Sequence, residues 1–233
     1  MNARALVLVH DEVPGRGAAE VGTVGPALTR LGFEVLVATF LPGGPPLPDP
    51  EQIAVLVVLG SSAAADDDSL PWLGPERAYL ARSIDLDVPV LGICFGAQLL
   101  ARVLGGTVGR AARPERGFVP LIPADPRVMP SGDWLQFHDD TFTLPPGAEL
   151  VAANEVGVQA FRHGRHVGVQ FHPEIAPAVF DTWVESWRVT GELDQLSTEI
   201  DLPALTAEVA ARATASAAAC HDLINRWAHP GPR

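Results

Sequence analysis

The sequence predicts an α/β fold with a mostly parallel sheet, helices on both faces, an antiparallel extension and a helical C-terminal tail. Short apolar segments rich in β-branched residues recur along the first half of the chain, which is typical of strands buried on both faces. Helical segments alternate with these strands, as in parallel βαβ units. The C-terminal part contains an alanine-rich stretch, 207–219, with high intrinsic helix propensity.

Strands and helices are predicted in alternating order through the first half of the chain. Apolar segments predict strands at 5–9, 33–38 and 53–59, and a fourth strand that begins at Val90. Helices are predicted at 20–31, 70–84 and 97–104, the last ending at Gly105-Gly106. Ligands of such sheets gather at the carboxyl ends of the strands, so the loops there are the predicted location of a functional site.

The second half of the chain predicts the antiparallel extension and the C-terminal helices. Residues 115–117 are predicted to form a turn into the extension. Alternating segments at 157–162 and 166–171 flank a short polar turn and predict a β-hairpin. Helices are predicted at 177–189 and 202–227.

The composition limits the number of domains, the partners and the cellular compartment that we expect for this protein. The 233 residues suit one α/β domain, and the net charge of −12 argues against a nucleic-acid partner, which would require clustered basic residues. Two cysteines do not make a disulfide framework in a chain of this length, and a reactive thiol suits a reducing compartment. There is no signal-peptide pattern and no apolar stretch long enough for a membrane span. We therefore expect a cytoplasmic protein without membrane contact.

Cys94 lies between Gly92 and Gly96, at the predicted junction of the fourth strand and the following helix. A sharp strand-to-helix turn needs small neighbours, exposes the side chain at the carboxyl end of the sheet and directs helix N-terminal amides towards it. The pattern therefore predicts a nucleophile elbow with cysteine in place of serine. The alternative is a small buried hydrophobic residue, a common role of free cysteine.

Downstream, His172 and Glu174 lie two positions apart around Pro173. In an extended segment both side chains point the same way. A nucleophilic cysteine needs a base, and the base needs a third group that holds its tautomer and orientation. The order of Cys94, His172 and Glu174 is therefore compatible with a catalytic triad assembled in space.

At this point the sequence resembles the class I (triad) glutamine amidotransferases. Residues 92–98 match the family element G-x-C-x-G-x-Q, and residues 170–174 match Q-x-H-P-E. The resemblance covers roughly residues 50 to 175 and is closest to stand-alone proteins similar to the amidotransferase domain of GMP synthase. It implies a flavodoxin-like amidotransferase domain at 1–190 and a helical extension at 191–233, packed on or beside it.

The resemblance also implies roles for individual residues. The catalytic residues are Cys94, His172 and Glu174. The oxyanion hole is formed by the N–H of Phe95 together with that of Gly60 or Ser61, although many members have Gly-Gly-Pro where this chain has Gly60-Ser61-Ser62. The residues implied near the head group of the substrate are Gln98, His138 and Asp139. The alternative for His138 is a loop residue with local hydrogen bonds.

The implied reaction is hydrolysis of the glutamine side-chain amide through a thioester, without a cofactor. No Walker-type nucleotide loop is found in the sequence, so a separate synthetase is the predicted ammonia acceptor. Two alternatives remain: a stand-alone γ-glutamyl hydrolase of amides or peptides, and a catalytically silent regulatory module.

Three other groups are predicted to have structural roles. Asp66-Asp67-Asp68 is interpreted as a solvated loop or the start of a helix, and His163 and His166 as exposed turn residues, so that no metal site is expected. Cys220, on the C-terminal helix, is interpreted as buried or as a harmless surface thiol.

Overall fold

The computed structural model describes residues 3–10 and 17–229. Its strands are β1 (Arg4–Leu8), β2 (Glu34–Ala38), β3 (Val55–Val58), β4 (Val90–Ile93), β5 (Val108–Leu121), β6 (Gly132–Phe142), β7 (Glu149–Ala153), β8 (Val158–His163) and β9 (His166–Val169). Its helices are α1 (Gly17–Glu20), α2 (Val24–Arg30), α3 (Leu73–Asp85), α4 (Phe95–Val103), α5 (Pro177–Thr190), α6 (Leu193–Glu199) and α7 (Leu202–Ala228). A short 3₁₀ helix, Pro50–Gln52, precedes β3.

The central sheet has seven strands in the order β2-β1-β3-β4-β9-β8-β7. The strands from β2 to β9 in this order pair in parallel, and β8 and β7 pair antiparallel at one edge. Strands β5 and β6 form a separate antiparallel ribbon. The predicted fold class is confirmed: a mostly parallel sheet with helices, antiparallel strands and C-terminal helices.

Alternation of side chains along the parallel strands divides the core between the two faces of the sheet. In β3, Val55 and Val57 face one apolar cluster, to which α2 and the end of α7 contribute. Leu56 and Val58 face the other cluster, to which α3 and α4 contribute. The period of two positions along a strand thus explains why its whole sequence is apolar.

The C-terminal helix α7 reaches the core of the sheet. Its residues Cys220, Leu223, Ile224 and Trp227 are buried in the same cluster as α2. Its first half packs with α5 and α6 in a third, smaller apolar cluster. The predicted domain boundary near residue 190 stays a prediction. Within residues 3–10 and 17–229, no helix combines the length and the apolar character needed to cross a bilayer.

The predicted turn at residues 115–117 was wrong, because these residues lie inside the long strand β5. A register shift between Arg110 and Glu115 replaces the turn, and Gly117 takes a positive φ of 92° without interrupting the pairing with β6. Most side chains of β5 are exposed or half-buried, so the strand lacks the apolar alternation by which strands are recognised in a sequence.

The helix predicted at 20–31 is interrupted at Gly22, which separates α1 from α2. Gly22 has φ +49°, and a Cβ atom there would lie 2.0 Å from the backbone oxygen of Glu174. The N–H of Thr23 donates to the same oxygen at 3.0 Å. The interruption therefore brings the chain against the segment that carries Glu174.

His166 was predicted to be an exposed turn residue, and this was wrong. It is the first residue of β9, an inner strand between β4 and β8, and it is 4% exposed. Burial lowers the pKa of His166 to about 4, against a smaller opposing effect of the Asp87 charge. In the part of the chain that the structure describes, no group of His, Cys, Asp and Glu side chains is arranged to hold a metal ion.

The buried His166 predicts loss of stability in mild acid. Its pKa in the folded protein is below its ordinary value of 6.5, so the unfolded chain binds the proton first as the pH falls. Neutral, buried His166 contributes to stability above about pH 6.5, and this contribution is lost as the pH falls towards 4. The free energy of unfolding should therefore decrease by about 1–2 kcal/mol between pH 7 and pH 5. Denaturant unfolding of wild type and His166→Leu at both pH values measures this. The same pH dependence in both proteins would contradict the prediction.

Candidate active site

Cys94 occupies a strained junction between β4 and α4. Its φ of +51° and ψ of −109° are rare for a residue with a side chain. A Cβ atom at Gly92 would lie 2.4 Å from the oxygen of Gly96, and one at Gly96 would lie 2.1 Å from the oxygen of Val58. Only glycine permits this close approach of the strand, the elbow and the neighbouring strand β3.

The pairing of β4 with β9 brings His172 to Cys94. The N–H of Cys94 donates to the oxygen of Val169 at 2.8 Å, and His172 follows three residues beyond the end of β9. The N–H of His172 donates to the oxygen of Leu135 at 2.8 Å, which fixes the chain as it leaves the sheet. The side chain of His172 is therefore held at the carboxyl edge of the sheet, where the elbow projects.

Glu174 holds one nitrogen of the His172 ring. Nδ1 of His172 lies 2.6 Å from Oε1 of Glu174, and both side chains are buried. Burial opposes a charge on His172, but the charges of Glu174 and Cys94 prevail and raise its pKa well above the ordinary value of 6.5. A cysteine beside an imidazole that a carboxylate orients is an arrangement that can perform nucleophilic catalysis.

Two glutamine side chains lie behind the sulfur. Nε2 of Gln170 donates to Sγ of Cys94 at 3.6 Å. Nε2 of Gln98 lies 3.3 Å from Oε1 of Gln170 and 3.3 Å from the backbone oxygen of Asp140. Gln170 was not predicted as a site residue, although its position in the Q-x-H-P-E element was a signal.

Gly60 lies against both Cys94 and His172. A Cβ atom at Gly60 would lie 3.1 Å from Cε1 of His172 and 3.7 Å from Cβ of Cys94. Among the described residues, no group accepts a hydrogen bond from the N–H of Gly60, of Ser61 or of Phe95. Three backbone donors are thus available close to the sulfur.

A cavity of about 240 Å³ opens over Cys94. Of the residues implied by the resemblance, Phe95 is absent from its wall, since its ring is buried against His10 and Trp72. The others line the cavity: Gly60, Ser61, Cys94, Gln98, His138, Asp139, His172 and Glu174.

His138 and Asp139 lie on β6 and line the cavity. Nε2 of the His138 ring is 3.1 Å from Glu115, and its backbone oxygen accepts a hydrogen bond from Arg116 at 2.8 Å. Asp139 pairs with Arg116 at 2.8 Å. The guanidinium of Arg116 also lies over the ring of Phe137 at 4.5 Å. Arg116 was not predicted as a site residue from the sequence.

Helix α5 supplies an aromatic wall next to His172. The ring of Trp183 meets the ring of His172 edge to face, with centroids 4.7 Å apart. Trp187 stacks on Phe137 at 4.8 Å and closes the same side. A helix was predicted here from the sequence, but its aromatic residues were given no role in the site.

Comparison with known proteins identifies the family. The model of the glutamine amidotransferase class-I family matches residues 39–187. The chain belongs to this family. One of the subunits of the glutamine-hydrolyzing GMP synthase of Thermococcus kodakarensis is 33% identical over 169 residues, which cover 69% of this chain and 86% of the relative. A crystal structure of a glutamine amidotransferase from Thermotoga maritima has a TM-score of 0.85 and 25% identity, and covers 98% of this chain and 99% of that one.

Other curated relatives are much longer than the region of similarity. A GMP synthase from a Synechococcus species is 35% identical over 133 residues, or 53% of this chain, but the match spans only 24% of that protein. The chain thus spans about a quarter of the length of such relatives.

Selective alkylation is expected to distinguish the two cysteines. Cys220 is fully buried, and burial raises the pKa of its thiol to about 12, whereas Cys94 lines the cavity. Because alkylation requires an accessible thiolate, iodoacetamide should modify Cys94 first, and activity should be lost in proportion. Peptide mass spectrometry at intervals measures both. Faster labelling of Cys220, followed by inactivation, would contradict this.

Proposed function

We propose that this protein hydrolyses the side-chain amide of glutamine through a thioester on Cys94 and supplies the ammonia to a separate synthetase. The observation that carries the proposal is Cys94 at a strained elbow, in one cavity with the His172–Glu174 pair. A silent module would have no need for this costly backbone conformation.

The first step forms the thioester. The Cys94 thiolate attacks the amide carbon of glutamine, so that a C–S bond forms. The C–N bond then breaks, and its electron pair leaves with the nitrogen. Protonated His172 donates its Nε2 proton to this nitrogen, which departs as ammonia. Glu174, at 2.6 Å from Nδ1, keeps the ring oriented.

The second step returns the enzyme to its starting state. Neutral His172 accepts a proton from water at Nε2, and the hydroxide adds to the thioester carbonyl. The C–S bond breaks, the sulfur leaves as the thiolate beside protonated His172, and glutamate is released. The raised pKa of His172 supports this cycle, since it favours the protonated ring whenever the thiolate is present.

The tetrahedral intermediates carry an oxyanion that needs donors. We assign this role to the N–H of Phe95, directly after the nucleophile, and to that of Gly60 or Ser61. Among the described residues, no group accepts a hydrogen bond from these N–H groups, which supports the assignment. In this proposal Gln98 contacts the amino-acid head group of the substrate, together with His138 and Asp139, and the side chains of Gln98 and His138 both contact the backbone oxygen of Asp140.

A separate synthetase as ammonia acceptor is supported by one relative. The Thermococcus kodakarensis protein is named as one of the subunits of GMP synthase, and the match covers 86% of its length. A subunit acts together with at least one other chain. We propose the same arrangement here, without fixing which synthetase is involved.

One observation favours a second candidate, hydrolysis of substituted γ-glutamyl amides. The nitrogen that leaves must lie beside His172, and Trp183 and Trp187 line that side of the cavity. An apolar substituent on the nitrogen would bury surface against these rings. Ammonia released from glutamine carries no apolar substituent that could pack against these rings.

A steady-state assay of ammonia or amine release tests the proposal. We expect slow hydrolysis of glutamine by the chain alone and an increase on the order of 10²-fold with its synthetase, because partner binding would align the N–H of Phe95 or of Gly60 with the oxyanion. Candidate synthetases from the same organism are added in turn, with γ-glutamyl methylamide and γ-glutamyl anilide as comparison substrates. Rapid hydrolysis of the anilide by the chain alone would favour the second candidate. Release from no substrate would favour a silent module.

A further inference from the structure

We propose that His10 and Glu76 are positioning residues that fix the Gly60–Ser61 peptide, so that the N–H of Ser61 faces the oxyanion. This inference rests on the proposed function, because it concerns the same site. The three positions lie on separate elements: His10 after β1, Gly60 after β3, and Glu76 in α3. All meet at the carboxyl edge of the sheet, where His10 and Gly60 line the cavity.

His10 connects Gly60 to a buried carboxylate. Its Nδ1 lies 2.9 Å from the oxygen of Gly60, and its Nε2 lies 3.0 and 3.1 Å from the two oxygens of Glu76. Glu76 is 0% exposed and His10 is 4% exposed. The ring of His10 also meets that of Phe95 edge to face at 4.8 Å. His10 therefore contacts both residues that flank the proposed oxyanion site.

The partners of His10 determine where its protons lie. A backbone carbonyl oxygen only accepts hydrogen bonds, so Nδ1 carries a proton. Nε2 faces a carboxylate, which also accepts, so the ring donates from both nitrogens as an imidazolium. Burial opposes this charge, but Glu76 and the bond to Gly60 prevail and raise the pKa of His10 above its ordinary value, with a further contribution from Glu20.

The hydrogen bond to Gly60 determines the direction of the next N–H. The oxygen of Gly60 and the N–H of Ser61 belong to one planar trans peptide and point in opposite directions. A donor that holds the oxygen on the side of His10 therefore turns the N–H of Ser61 to the other side. Ser61 lines the cavity, and its N–H has no acceptor among the described residues.

A buried ion pair needs such an explanation, because it is a poor source of stability. Desolvation of two charges offsets most of their attraction, and an apolar pair of similar volume is often as stable. A charged donor does, however, form a stronger and more directional hydrogen bond to a carbonyl than a neutral one. The pair thus gives rigidity to a loop that lacks the second glycine and the proline common in related proteins.

A matched pair of variants tests the contact to Gly60. The Nδ2 of asparagine can occupy the position of Nδ1 in His10→Asn, whereas the Nε2 of glutamine can occupy that of Nε2 in His10→Gln. Each is combined with Glu76→Gln, so that no buried carboxylate is left unpaired, and Glu76→Gln alone serves as the reference. The readouts are kcat and KM for glutamine, the inhibition constant of glutamate γ-semialdehyde, and the NMR shift of the Ser61 amide.

We expect His10→Asn to keep kcat close to the reference and His10→Gln to lower it on the order of 10²-fold, with little change in KM. The semialdehyde adds the Cys94 thiol across its C=O bond and places an oxygen in the oxyanion position. Its affinity should therefore fall by the same factor as kcat in His10→Gln. The NMR shift of the Ser61 amide should differ from the reference in the His10→Gln variant and equal it in the His10→Asn variant.

Equal kcat in the two variants, or a Ser61 amide that does not move in His10→Gln, would overturn the inference. Nitrogen NMR of the wild-type protein provides a readout that needs no variant. Protonation of both ring nitrogens of His10 at pH 7 is expected, and a neutral ring would overturn the inference. If wild type releases no ammonia from glutamine, the proposed function fails, and the two NMR readouts still decide the role of His10.

Discussion

The variant Cys94→Ser is expected to release no measurable ammonia from glutamine while it keeps the wild-type fold. Serine is nearly isosteric with cysteine, and the φ of +51° is equally available to it. Its hydroxyl is a far weaker nucleophile than a thiolate, so kcat should fall by at least about 10³-fold. Steady-state ammonia release and the thermal unfolding midpoint measure the two effects.

The same substitution at the other cysteine provides the control. Cys220→Ser places a hydroxyl in the apolar cluster of α2 and α7, so it should lower the unfolding midpoint but leave kcat per folded molecule unchanged. Retention of more than a few per cent of wild-type turnover in Cys94→Ser would remove Cys94 as the nucleophile. A loss of kcat in Cys220→Ser equal to that in Cys94→Ser would indicate a nonspecific effect.

The variant Gly96→Ala is expected to have the largest effect on folding. A methyl group there would lie 2.1 Å from the oxygen of Val58 and 2.9 Å from its Cβ, and this part of β3 belongs to the centre of the sheet. Helix α4 must therefore move away from β3, which also displaces the elbow at Cys94. We expect a loss of about 3 kcal/mol or more in the free energy of unfolding, measured by denaturant titration.

Gly109→Ala is the matched control for this effect. Gly109 is half-buried in β5, and a Cβ atom there would meet nothing within 4 Å. The same change of residue should leave stability unchanged or raise it by less than about 1 kcal/mol, since glycine inside a strand is less favourable than alanine. Similar losses in the two variants would show that the contact with Val58 is not the cause.

Prediction from the sequence succeeded where a local pattern determines local structure. The buried parallel strands are continuous apolar segments, and the bracket of Gly92 and Gly96 indicated the sharp turn at Cys94. Prediction failed where contacts between distant parts of the chain determine the local structure. The ribbon of β5 and β6 has no apolar alternation, and the short elements β7 and α6 were missed because a few residues carry too little periodicity.

The site divides in the same way. Cys94, His172 and Glu174 belong to two short motifs, and backbone geometry within each motif suffices to suggest their chemistry. His10 and Glu76 belong to no motif, and they lie 66 positions apart in the chain. In the sequence, His10 resembles any polar residue that follows a strand, and Glu76 resembles any acidic residue on a helix.

The sequence by itself determined the class of fold, the elbow and the chemical groups of the site, because these depend on neighbours within a few residues. The tertiary structure alone decided which distant groups meet. Strand β9 pairs with β4, which places His172 near Cys94. Helix α5 packs so that the ring of Trp183 contacts the ring of His172. The order of strands in a sheet is set by the joint burial of apolar faces from the whole chain, and no local segment contains that information.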